Sequence, residues 1–289
     1  MTNFQSTCSE LKYVNCNICG SDNTQLLGVE NNCNICLCRQ CGLIYVNPRP
    51  VSQSLSPDFF DNFDEPPEER WGAKNYKNYL EILDTIEQVC PDKGRLLDVG
   101  CGYGFFLNLA RERGWQIFGE DTSLSAVSYC HKQLNINVFR GLLEEADFPD
   151  NYFNAVMLWL VLEHLPDPQS TLKEIYRIMA PNAVLIVRVP NVNFILIKSK
   201  ASGKRSIVDG APHHLFGFTP QTLNLMLKNI FVKEVKIFPG KINEMMLKDF
   251  IKIPFAPMAT SIANILLNAA FKLNQRCFFS PSIMAMAIK

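Results

Sequence analysis

No stretch restricts the possible folds of this chain more than Leu96-Leu97-Asp98-Val99-Gly100-Cys101-Gly102-Tyr103-Gly104, an apolar strand that runs straight into three alternate glycines. Such a turn bends sharply and brings backbone close to a ligand with no side chain in the way, which suits a nucleoside-bearing cofactor. Dinucleotide sites use the spacing G-x-G-x-x-G and seat a pyrophosphate on the helix that follows. Here the spacing is G-x-G-x-G, and an acid, Asp98, stands two residues ahead of it. An acid in that place can engage an ammonium group, directly or through water. The next strand ends in Phe118-Gly119-Glu120-Asp121-Thr122-Ser123, about 20 residues on, where a carboxylate can take both hydroxyls of a ribose. Asp121 is the expected ribose ligand, with Glu120 second.

The surrounding pattern alternates. Tyr79, Leu80, Leu83, Ile86 and Val89 recur at helical spacing from near Tyr76 until Pro91 stops the run. β-rich segments at 95–99, 116–120, 153–158 and 184–189 then alternate with helical ones at 105–113, 124–134 and 171–179, which predicts a parallel α/β sheet wound by right-handed crossovers. After Pro190 the pattern lapses through the polar, basic stretch Lys198-Ser199-Lys200-Ala201-Ser202-Gly203-Lys204-Arg205, expected to be a lid or binding loop. Thr219-Pro220 reads as a helix start, followed by strands near 232–238 and 283–288.

Six of the eleven cysteines fall between Cys16 and Cys41. Cys16-Asn17-Ile18-Cys19-Gly20 and Cys38-Arg39-Gln40-Cys41-Gly42 are paired C-x-x-C-G knuckles, each offering two thiolates from one tight turn. Cys16, Cys19, Cys38 and Cys41 are therefore the expected ligands of a structural zinc. Cys33 and Cys36 form a competing C-x-x-C pair but lack the trailing glycine. The expected organisation is a zinc-ribbon module at 1–50, a connector at 51–75, a cofactor-binding catalytic domain at 76–240, and an apolar helix with a last strand at 241–289.

Phe148-Pro149-Asp150-Asn151-Tyr152-Phe153-Asn154-Ala155-Val156, Leu162-Glu163-His164-Leu165-Pro166-Asp167-Pro168 and Met179-Ala180-Pro181-Asn182-Ala183 complete a pattern with the glycine turn and the cysteine knuckles. Over nearly all of residues 16 to 230 it resembles the class I S-adenosylmethionine-dependent methyltransferases, in the bacterial subfamily with a zinc-ribbon front end. The resemblance implies a Rossmann-like, seven-stranded sheet with helices on both faces. It implies that Gly100, Gly102 and Gly104 line the methionine side of the cofactor, that Asp121 holds the ribose and that Leu142 and Leu143 border the adenine. Cys101, Tyr103 and Trp159 are counted with them. The sequence departs from the family at Asn154, where an Asp is usual, and at Leu160, where relatives often carry a polar or acidic residue.

Methyl transfer to oxygen or nitrogen is an in-line displacement that needs alignment and, for a weakly acidic acceptor, a base. The chain has four histidines. His131 reads as a packing residue, whereas His164, at the carboxyl edge of a strand, and His213 and His214, after the polar loop, are the candidate bases. Lysine plus arginine equals aspartate plus glutamate at 28 each, so no net field attracts a polyanion, and a small-molecule, sugar or glycan-precursor acceptor is expected ahead of RNA. A non-catalytic binding protein of the same fold is the remaining alternative. The start lacks a charged flank followed by an apolar run, which points to the cytoplasm. From Ile253 to Phe271 no residue is charged, but the polar interruptions read as an amphipathic helix that packs on the core or touches a membrane surface.

Overall fold

The computed structural model describes residues 11–50, 67–203, 206–240 and 280–289. The predicted amphipathic segment at 253–273, most of the connector and the basic pair Lys204-Arg205 lie outside the described residues. No described helix is long and apolar enough to cross a membrane.

The central sheet has seven strands: β6 (Arg95–Val99), β7 (Gln116–Asp121), β8 (Phe139–Arg140), β9 (Phe153–Trp159), β10 (Met179–Pro190), β12 (Glu234–Pro239) and β13 (Ser282–Ile288). Their spatial order is β12-β13-β10-β9-β6-β7-β8. From β10 to β8 all pairs are parallel, while β13 runs antiparallel to both its neighbours. Parallel neighbours need crossovers, and α2 (Phe105–Glu112), α3 (Leu124–Gln133) and α4 (Pro168–Ile178) supply them.

The two faces of the sheet follow the period of two along each strand. Leu96, Ala155, Met157, Val184 and Ile186 pack beneath α1 (Lys74–Val89), α2 and α3, with Ile82, Leu83, Phe106, Leu107 and Val127. Leu97, Val156, Leu158, Leu185 and Val187 face the other way, toward Leu172 and Ile175 of α4 and Leu223 and Met226 of α6 (Pro220–Lys228). Thr219 caps α6, its hydroxyl accepting from Thr222 N at 3.1 Å, with Pro220 in the first turn.

The cysteine knuckles belong to a second sheet. Strands β2 (Thr24–Glu30), β3 (Cys33–Cys38) and β4 (Ile44–Val46) form an antiparallel meander, and β11 (Phe216–Gly217) adds to the edge of β4. Cys16, Ile18, Ile35 and Tyr45 are buried in the same apolar cluster as Leu97 and Met226, so module and catalytic sheet share a core. A short pair, β1 (Leu11–Lys12) with β5 (Arg49–Pro50), closes the base of the module.

Two boundaries differ from the sequence expectation. The helix before the glycine strand begins earlier, because a π-helical turn over Glu68–Ala73 runs into α1. The stretch expected to open as a loop at Lys198 is instead the end of α5 (Val192–Ser202). Asn191 caps that helix through Asn193 N at 3.2 Å, Val192 and Ile195 anchor it, and Gly203 ends it with φ 70°.

Candidate active site

The carboxyl ends of β6, β7, β9 and β10 open on one cavity of about 590 Å³. Ligands in open parallel sheets bind at that edge. At its floor the chain leaves β6 through Gly100, whose φ is 65° and where a Cβ would come within 2.6 Å of Val161 Cγ2. Only glycine fits there.

The two acids that end β7 hold this turn. Asp121 Oδ2 accepts from Gly102 N at 2.7 Å and Oδ1 from Ser123 N at 2.8 Å, while Glu120 Oε1 accepts from Gly100 N at 3.1 Å. Asp98 is 3 % exposed, and its Oδ1 has no hydrogen-bond partner. Burial, with the charge of Asp121 beside it, pushes the Asp98 carboxyl well above the usual range. Burial raises Glu120 and Asp121 as well, Asp121 against the pull of the backbone amides it accepts from.

Of the cofactor residues read from sequence, Asp98, Gly100, Cys101, Gly102, Tyr103, Asp121, Leu142, Leu143 and Trp159 all line the cavity. Gly104 does not. It sits behind the turn as the left-handed N-cap of α2, φ 72°, where a Cβ would lie 2.8 Å from Cys130 Sγ. Its glycine serves helix entry and close packing.

The three candidate bases line the same cavity. His164 Nδ1 lies 2.9 Å from the carbonyl oxygen of His213, and His214 Nδ1 lies 2.8 Å from that of Val208. A carbonyl can only accept, so both rings carry their hydrogen on Nδ1 and keep a lone pair on Nε2. The ring centroids are 4.7 Å apart. Desolvation, then the neighbouring His214, pushes His164 down to about 3, and desolvation also lowers His213. His131 is elsewhere, on α3, its Nε2 accepting from Val138 N at 3.1 Å.

Three contributors are not among the site residues named from the sequence, although Glu163 stands in the Leu162-to-Pro168 motif. Glu163 is 1 % exposed, neither carboxylate oxygen has a hydrogen-bond partner, and burial raises it to about 8. Its Oε1 lies 4.0 Å from His164 Nε2, and burial disfavours the charged form of both groups. Ligand atoms of Glu163, His164 and His214 all fall within 4.8 Å of one another, close enough to share a cation. Tyr79, one more apolar position on α1 by spacing, packs edge-on to Trp159 at 5.3 Å and lines the cavity. Arg188 stacks on the far side of the site, its guanidinium 4.1 Å from the Trp159 ring centroid and its Nε donating to Ser282 Oγ at 3.0 Å.

At the other end of the cysteine module, Cys16, Cys19, Cys38 and Cys41 come together with all ligand atoms within 4.8 Å. Cys16 Sγ is 3.4 Å from Cys41 Sγ, and Cys19 Sγ is 3.5 Å from Cys38 Sγ. These separations are too long for disulfides and near the edge of a tetrahedral zinc–thiolate site, about 3.8 Å. Cys33 and Cys36 stand apart, their thiols directed to the carbonyls of Asn31 and Asn47.

Comparison with known proteins agrees with this geometry. The profile of a family described as "Methyltransferase domain" matches residues 71–230. The ubiquinone biosynthesis O-methyltransferase of Coxiella burnetii (strain Dugway 5J108-111) is 27 % identical over 156 residues, which cover 50 % of this chain and 67 % of that protein. A probable S-adenosylmethionine-dependent methyltransferase of Mycolicibacterium smegmatis is 28 % identical over 117 residues, 40 % of this chain and 45 % of that one. The crystal structure of an S-adenosylmethionine-dependent methyltransferase from Archaeoglobus fulgidus superposes with a TM-score of 0.55 at 25 % identity, covering 77 % of this chain and 97 % of that one. Seven strands in a mostly parallel sheet, a glycine turn held by the acids of the next strand and a profile match across 71–230 identify the chain as a member of the methyltransferase domain family, an enzyme of S-adenosylmethionine-dependent methyl transfer.

Proposed function

We propose that this enzyme methylates a hydroxyl group of a small molecule, sugars and glycan precursors included, with the cofactor on the glycine turn, His214 as base and zinc in the cysteine cluster. The observation that carries the reading is the pair of Nδ1–H rings that line one cavity with the glycine turn. A hydroxyl is too weak an acid to attack without losing its proton, and an imidazole with a free Nε2 is the side chain suited to take it. His164, held down at about 3, and His213, lowered by desolvation, both hold a proton poorly, and we assign the base role to His214. The relatives named as ubiquinone biosynthesis O-methyltransferases favour an oxygen acceptor.

S-adenosylmethionine supplies an electrophilic methyl group on a sulfonium. The chain's residues fit it. The orphaned Asp98 Oδ1 is the partner an ammonium group requires, and Gly100 and Gly102 leave room for the aminocarboxypropyl chain. Asp121 retains a second lone pair on each oxygen for the ribose hydroxyls. Leu142 and the buried Leu143 give an apolar edge for a base ring. His214 Nε2 would take the acceptor's proton as its oxygen is methylated, the sulfonium of bound S-adenosylmethionine supplying the methyl group and leaving as the neutral thioether. The Nδ1–H to Val208 carbonyl bond steadies the imidazolium that results.

The cysteine cluster fits a closed four-thiolate zinc, which is structural because no position is left open for water or substrate.

The test is S-adenosylhomocysteine binding by calorimetry, followed by a methyl-transfer screen against nucleotide sugars, phenolic quinone precursors and RNA. Turnover on a hydroxylated small molecule, reduced about 100-fold or more in His214→Gln with cofactor affinity kept, is the expected result. Turnover on RNA alone, or an undiminished His214→Gln enzyme, would sink the proposal.

A further inference from the structure

Glu30 carries the cysteine module to the segment that holds the histidines. Glu30 ends β2 at the tip of the hairpin and is 5 % exposed. Its Oε2 accepts from Ile207 N at 2.6 Å and Val208 N at 3.0 Å, and its Oε1 from Gly210 N at 2.7 Å and Ala211 N at 3.3 Å. Four amides from one irregular segment point at a single carboxylate. Backbone that turns this way, with Asp209 at φ 61° and Gly210 at φ 131°, makes a concave nest of N–H groups that needs an anion at its centre. The next residue continues the contact: Asn31 Nδ2 donates to Ala211 O at 2.8 Å.

The gathered segment is the one that orients the histidines. His214 Nδ1 donates to the carbonyl of Val208, whose own amide is held by Glu30. His164 Nδ1 donates to the carbonyl of His213, whose amide donates to Gly210 O at 2.8 Å, and the Gly210 amide is again held by Glu30. Both hydrogen-bond chains that set a ring in the cavity therefore return to the same carboxylate. Burial alone would raise this acid, yet the four amides together outweigh it and hold it below its usual value, so the nest receives a full negative charge.

We infer that Glu30 is a positioning residue for methyl transfer, through which the cysteine module sets the tautomer and place of His164 and His214 on the acceptor side. It touches neither cofactor turn nor bases. The four-cysteine cluster lies at the far end of the same hairpin, since Cys38 closes the strand that Cys33 opens, roughly 17 Å along it. The module thus acts as a brace whose stapled end keeps the Glu30 end in register. Its β4–β11 pairing, and the donation of Val46 N to Leu215 O at 2.9 Å, fix the other end of the histidine segment to the same module. This inference rests on the acceptor-side reading given above and extends it to a residue distant in sequence from every other part of the site.

The test compares the full chain with Glu30→Gln and the charge-retaining Glu30→Asp. Amide exchange is followed at 207–211, histidine tautomers by nitrogen-15 spectra of the four imidazoles, and cofactor-side integrity by calorimetry with S-adenosylhomocysteine. In Glu30→Gln the loop amides are expected to exchange at least about tenfold faster, because the loss of a charge-assisted partner there is worth a factor of that order or more. The His164 and His214 signals should move from pure Nδ1–H toward a mixture, and Glu30→Asp should fall between. S-adenosylhomocysteine affinity should stay within about threefold throughout, a range smaller than one hydrogen bond. Unchanged loop protection and tautomers would overturn the inference, as the segment would then hold itself. Cofactor affinity lost in step with the loop would also overturn it, since Glu30 would then serve the fold as a whole. If the unaltered protein fails to bind S-adenosylhomocysteine, the cofactor assignment falls, while exchange and tautomer measurements still judge Glu30.

Discussion

Asp121 Oδ2 accepts the amide hydrogen of Gly102 at 2.7 Å, so the acid that ends one strand holds the turn that ends its neighbour. The same carboxylate takes Ser123 N through its other oxygen. An acid placed for a ribose is thus already part of the loop that must accept the rest of the cofactor. Asp121→Asn would oppose an NH₂ group to one of the two amides and leave a buried donor unpaired, at about 1–3 kcal/mol. Calorimetry should find S-adenosylhomocysteine bound about 10- to 100-fold more weakly, with a matching loss of stability in urea.

Asp98 presents the opposite case, a buried carboxyl with no internal partner for Oδ1 and its acidity suppressed. An ammonium group arriving beside it favours the ionised form, so cofactor binding should expel a proton. Affinity for S-adenosylhomocysteine should rise with pH until Asp98 is ionised in the free protein. Calorimetry in buffers of different ionisation enthalpy should register the released proton, and Asp98→Asn should abolish the release while weakening binding.

Glu163 is held protonated up to about pH 8 by burial, whereas an unfolded carboxyl ionises near 4.5. Between these values the unfolded chain binds fewer protons than the native one, so the group subtracts stability as pH rises. Glu163→Gln copies the neutral acid without that penalty. Its advantage over the unaltered protein should grow from about pH 4.5 to about 8 and then level off, by at most about 1.4 kcal/mol per pH unit. Urea denaturation at several pH values measures it; a pH-independent difference would contradict it.

Metal analysis of protein purified under reducing conditions should return one zinc per chain. Cys41→Ser should lose the metal and lower the melting temperature, because a closed thiolate site contributes directly to folding. Cys33→Ser, outside the cluster, should keep its zinc.

Much of this site was legible because its signals are local. Gly100, Gly102, Asp98 and Asp121 lie within one strand-turn-strand unit, and each knuckle, Cys16 with Cys19 and Cys38 with Cys41, carries its two cysteines three positions apart. Gly104 shows the limit of such reading. Alternate glycines do not reveal which faces the ligand, and this one relieves a contact with Cys130. Glu30 was illegible for a different reason: its partners are backbone amides almost two hundred residues away, and a backbone amide has no residue type to mark it. The extent of α5 was hidden because Lys198 to Ser202 hold no large apolar side chain, so helical spacing leaves no apolar trace there.

Ser282–Ile288 lies inside the central sheet, with β10 on one side and β12 on the other. Strand β12 therefore has no place to dock until a segment much later in the chain has arrived, and the last crossover cannot be completed in the order in which the residues are made. Closure of the sheet therefore depends on a non-local pairing, and without it the backbone groups of β10 have no partner along that edge.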